Sequence, residues 1–150
     1  MSNSSKVLQE FSDVRITGKV TQSTVVSATE SLTAAATLDA TDSGKIFFLN
    51  LAGGFTTTLP AAAAGSTLKF IVATAPTTAY IISAGSAIIH ANATSPEISA
   101  AANSTSGTAV AAITLVATKA QIGDCVDLVS DGSKWFASVV VAQQDAATFA

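Results

Sequence analysis

Residues Ser43 to Pro60 read S-G-K-I-F-F-L-N-L-A-G-G-F-T-T-T-L-P. Alternate residues of a strand face opposite sides, so Ile46, Phe48 and Asn50 point one way and Phe47, Leu49 and Leu51 the other. Asn50 apart, both sets are apolar. That pattern implies a strand covered on both faces, one by the core and the other by a second sheet or another subunit. Gly53-Gly54 reads as a two-residue hairpin turn, because glycine accepts the positive φ of primed turns. Phe55–Leu59 is then the return strand, and Pro60 ends it by withholding a ladder donor. No side chain in the stretch suits acid–base or metal chemistry.

Working outward, the same grammar repeats. Leu68, Phe70 and Val72 fall on one face of a strand, with Lys69, Ile71 and Ala73 on the other. A turn at Ala75–Thr78 leads to a strand at Ala79–Ser83, and Ala87–His90 follows a Gly85-Ser86 turn. Ala111–Thr118 is a further strand. Asp124–Ser130 and Lys134–Val141 flank S-D-G-S, and Asp-Gly between alternating apolar runs is a hairpin signal. One of Trp135 and Phe136 is expected to anchor the core. Residues 91–109, almost all Ala, Asn, Ser, Thr and Gly, read as a surface loop. Toward the amino terminus, strands are expected at Thr24–Ala28 and Leu32–Leu38, and Asp39–Gly44 reads as a turn. Residues 1–22 are polar with scattered apolar side chains, and are either a loose tail or an arm that docks on a partner. Short strands with turns every 8–15 residues predict an all-β chain, an antiparallel sandwich or barrel of jelly-roll type, over residues 38–150. Residues 1–37 supply an extended N-terminal arm and short strands.

The chain has 150 residues, 49% hydrophobic and only 11% charged. The charged share is less than half that of an ordinary soluble domain. With little charge to repel neighbours, a surface of Ser, Thr, Ala and Gly favours packing against copies of itself. No stretch approaches the ~18 apolar residues of a spanning helix, so no membrane partner is expected. The opening M-S-N-S-S-K-V-L-Q-E lacks the pattern of a signal peptide, which points to assembly in a cytoplasm. A formal net charge of −3 without a basic cluster argues against nucleic acid.

Enzyme motifs are missing: there is no G-x-S-x-G, H-E-x-x-H, P-loop or G-x-G-x-x-G. Cys125 is the only cysteine and reads as a packed residue; His90 is the only histidine and has no neighbouring ligand or triad partner. Asp124 and Asp127 fall on opposite strand faces, which does not suit shared acid–base work. Asp39 and Asp42 lack the spacing of a calcium loop. No catalytic residue, metal or cofactor is expected.

Five stretches together carry a resemblance: L-x-A-x-D-S-G-K-I-F-F-L-N (Leu38 to Asn50), G-F-T-T-T-L-P (Gly54 to Pro60), A-A-G-S-T-L-K-F-I-V (Ala63 to Val72), T-A-P-T-T-A-Y-I-I (Thr74 to Ile82) and G-D-C-V-D-L-V-S-D-G-S-K-W-F (Gly123 to Phe136). In this order they resemble small structural proteins of tailed-bacteriophage virions, capsid decoration (cement) proteins in particular, with related β-rich modules in phage fibres. The resemblance covers roughly residues 38–145. It implies a non-enzymatic virion protein, commonly a trimer, that binds the major capsid protein on the outer shell and stabilises the head. Under it, Phe47, Leu49, Leu51, Val139 and Val141 are candidates for the subunit interface. Val7, Leu8, Phe11, Val14 and Ile16 on the arm are candidates for capsid contact. The alternative it leaves open is a tail-fibre, head-fibre or spike component that meets a host surface, with exposed aromatics and the Asn92–Asn103 region touching glycans.

Overall fold

The computed structural model describes residues 27–96 and 104–150. Among the described residues, twelve strands form two sheets that face each other across one core. In chain order they are β1 (Thr29–Leu32), β2 (Ala36–Thr37), β3 (Ile46–Leu49), β4 (Thr56–Thr58), β5 (Thr67–Val72), β6 (Tyr80–Ser83), β7 (Ile89–Thr94), β8 (Ser104–Val110), β9 (Ala112–Leu115), β10 (Cys125–Ser130), β11 (Trp135–Val140) and β12 (Ala147–Phe149). One sheet has the order β1-β3-β5-β10-β11-β7-β8, the other β12-β9-β6-β4-β2. The chain is therefore all-β and sandwich-like, and neither sheet closes into a barrel. Among the described residues no helix is long and apolar enough to cross a membrane.

The sheets are mixed, which corrects the antiparallel expectation. Strands β1, β3 and β5 run parallel in the larger sheet, and β2, β4 and β6 run parallel in the smaller one. The chain winds from one sheet to the other and back, laying down three stacked coils. Parallel neighbours need a crossover between them, and here each crossover is a strand of the opposite sheet. Gly53-Gly54 is accordingly no hairpin. Gly54 N–H bonds Leu51 O at 2.9 Å, and the turn carries the chain from β3 across to β4. β1 pairs with β3 and β2 with β4, so both short strands of residues 29–37 are built into the two sheets. The arm expected over residues 1–22, with Val7, Leu8, Phe11, Val14 and Ile16, lies outside the described residues.

Interior rows run across the larger sheet with one residue per strand. Phe47, Phe70, Val126, Val139 and Ala93 are successive cross-strand partners and all are buried. Phe47 and Phe70 stack with ring centroids 5.4 Å apart. Trp135, fully buried, starts β11, and the hairpin at Asp131-Gly132 joins β10 to β11 in the expected place. The turn is held by the Asp131 carboxylate, which accepts from Ser133 and Lys134 N–H at 2.8 Å each. Those bonds hold its pKa below the usual carboxylate value.

Among its described residues, the expected loop at 91–109 is mostly strand. β7 pairs in parallel with β11 and antiparallel with β8, through a bulge between Ile89 and Ala91. Alanines 91 and 93 face inward and are buried, and a strand made of such small residues is disguised as a loop by its composition.

Tyr80 fastens the two layers. From β6 its hydroxyl accepts from Leu51 N–H at 2.9 Å and lies 2.8 Å from Leu51 O and 3.0 Å from Thr74 O, both in turns leaving the larger sheet. Its ring meets Phe55 edge-on at 5.1 Å. Tyr80→Phe keeps the ring and removes these bonds, so it is expected to cost about 1–3 kcal/mol, measured by urea unfolding. An unchanged midpoint would show that the bonds are not made in solution.

Candidate binding groove

The outward face of the larger sheet is banded. A polar row crosses the middle: from Ile46 on β3, the successive partners Lys69, Asp127, Ser138, Asn92 and Ser106 run to β8. On one side lies a row of Thr67, Val129, Phe136 and His90. On the other lie Phe48, Ile71, Cys125 and Val140, ending at Thr94. Alternation produces the bands, since each outward residue sits between two core residues of its own strand.

The polar row and the Phe136 row line a groove of about 730 Å³ that runs across six strands, from Ile46 on β3 to Gly107 on β8. Lys69 and Asp127 face each other in register on its floor, Nζ to Oδ1 2.9 Å. The Asp127 hydrogen bond raises the Lys69 pKa. Phe136, 43% exposed, stacks on His90 with centroids 5.7 Å apart and planes 25° from parallel. At the β3 end, Lys45 pairs with Asp42 and Glu30. Gly107 is buried, and a Cβ there would lie 2.6 Å from Phe149 Cβ, so glycine lets β8 close over the end of β12. No family model, curated protein or solved structure matches this chain.

The residues expected at a subunit interface are placed differently. Phe47, Leu49, Val139 and Val141 are buried in the chain's own core, where they have no surface to offer a partner. Only Leu51, 39% exposed, reaches solvent. Phe47 and Leu49 share one face of β3, as alternation requires, but both faces are apolar in the sequence, and the smaller sheet packs on the Phe47 face. The outward face instead exposes Val129, Phe136 and Val140, with Ile122 exposed in the turn before β10.

His90, the only histidine of the chain, is part of the groove. The signal that could have found it is its place opposite Ile89 in strand parity. Cys125 is half-buried on the outer apolar row, and burial, with Asp127 next, pushes its thiol pKa up. A raised pKa leaves little thiolate.

The seven described carboxylates are all engaged. Glu30 and Asp42 meet Lys45, Asp127 meets Lys69, and Asp145 meets Lys119. Asp39 caps the 3₁₀ turn Ala40–Asp42, where bonds from the Thr41 hydroxyl and N–H lower its pKa. Asp131 holds its hairpin. Asp124, buried, accepts from Gln121 N–H at 2.9 Å and Ala142 N–H at 2.8 Å. Asp124 and Asp127 do fall on opposite faces.

Proposed function

We propose that this chain is a bacteriophage virion structural protein, a decoration module that coats the outer capsid surface as a homo-oligomer and stabilises the head. One observation carries the reading: the apolar row Phe48, Ile71, Cys125 and Val140 lies on the outward sheet face, with Leu51 and Ile122 exposed at the same end of the sheet. On a surface poor in charge, such a row favours association with another protein surface. Described carboxylates spent on turns and ion pairs suit a scaffold more than a catalyst. A module that binds the assembled shell and not the free subunit draws the equilibrium toward the shell, and many copies on one lattice add their effects.

Val140→Glu tests the reading. Val140 is 47% exposed, so the charge is tolerated by the fold but not by an apolar contact. The expected outcome is an unchanged melting temperature, loss of the oligomer in sedimentation velocity, and loss of binding to purified capsids. A wild-type protein that sediments as a monomer and ignores capsids would overturn the proposal. Copy number in the virion separates decoration, with copies comparable to those of the shell protein, from a fibre, with few.

A further inference from the structure

A ligand in the groove must satisfy two unlike strips at once: the polar floor Lys69, Asp127, Ser138 and Asn92, and the wall of Val129 and Phe136. Both strips run across the strands, each placing one side chain per strand, about 4.8 Å apart. Six strands give the groove a length of about 24 Å. We propose that the groove binds a linear neutral oligosaccharide laid across the strands.

The chemistry of the floor selects this class. In the ion pair Lys69 donates and the Asp127 carboxylate accepts, and both remain partly open to solvent. A sugar hydroxyl does both, so a vicinal diol can give one hydroxyl to each without breaking the ion pair. Ser138 and Asn92 continue the same mixed donor–acceptor line. The apolar C–H faces of the pyranose rings lie against Phe136 and Val129. The repeat of a hexopyranose chain is close to the strand spacing, so successive sugars meet successive strands.

Other occupants fit less well. An extended peptide pairs with main-chain groups at a sheet edge, whereas here the ladders on both sides of β5, β10, β11 and β7 are already made. A nucleic acid strand needs uncompensated cations, and Lys45 and Lys69 are each paired to carboxylates. A lipid tail would desolvate the ion pair and the Asn92 amide with nothing in exchange.

The test is a titration of the full-length ¹⁵N-labelled protein with cellohexaose, maltohexaose, laminarihexaose and chitohexaose at millimolar concentration. At least one is expected to shift amides of β5, β10, β11 and β7. Phe136→Ala is expected to weaken that binding about tenfold or more. Ser138→Trp, which fills the groove from an exposed floor position, is expected to abolish it with the core untouched. Val140→Glu, on the other apolar row, is expected to leave the shifts intact, so the outcome is read independently of capsid binding. No shift with any of the four sugars, shifts that map elsewhere, or binding that survives Ser138→Trp would overturn the proposal.

Discussion

Trp135→Ala is expected to destabilise the protein by about 3–5 kcal/mol, the range for truncating a buried large aromatic. In a domain of this size that lowers the melting temperature by about 10–20 °C. Trp135 is fully buried at the start of β11, a central strand with β10 on one side and β7 on the other. Its backbone N–H bonds Ile88 O at 2.9 Å, so the cavity would open where two strand pairings begin. Its indole Nε1–H has no partner among the described residues. An unpaired buried donor is itself costly. Trp135→Phe removes that donor while keeping most of the ring, so its loss is expected to be less than half that of the alanine variant. Equal losses for the two variants, in urea unfolding, would mean that the retained ring volume contributes nothing. An unmoved midpoint for Trp135→Ala would contradict the packing.

Gly54→Ala is expected to cost more than about 4 kcal/mol, enough to leave the chain largely unfolded or insoluble on expression. Two costs combine. Gly54 has φ +62°, where a Cβ adds strain, and that Cβ would lie 1.9 Å from Thr78 O and 2.4 Å from Ala79 O. Both obstacles are backbone, so no rotamer change relieves the overlap. The turn after β3 and the entry to β6 must move apart, and with them the Tyr80 hydroxyl bond to Leu51. Gly65 is the control. Its φ is +79° but nothing lies within 4 Å of an added Cβ, so Gly65→Ala is expected to cost only about 1 kcal/mol. Circular dichroism melts of the two variants separate crowding from torsion, and similar losses would refute the close approach at Gly54.

Much of the larger sheet was legible because alternation is a local property. Leu68, Phe70 and Val72 announce their common face within six residues, and they are buried together. Asp131-Gly132 announces its hairpin within four. What the sequence hid depends on distant partners. Gly53-Gly54 carries the torsions of a tight turn whether the next strand returns beside β3 or crosses to the other sheet, and only the pairing of β4 with β6 decides. Ile46–Leu49 is apolar on both faces, so the choice of Phe47 over Phe48 for the core rests on where the smaller sheet lies. The groove was legible only in part. Phe136 and Lys69 could be placed on outward faces, but their meeting with His90 and Asn92 requires β7 beside β11, a parallel pairing between residues far apart in the chain.

The winding of β1 through β6 sets an order of events for folding. Ile46 pairs with Lys69, and Thr57 with Ile82, so each coil must close a loop of some twenty residues before its first ladder bond repays the entropy. The β10–β11 hairpin has no such delay. β1 leaves the ribosome before β3, the strand it pairs with, and waits unpaired until β3 follows. Such a topology makes folding slow, on the scale of milliseconds to seconds. During that interval the chain has its greatest exposure to mispairing with copies of itself.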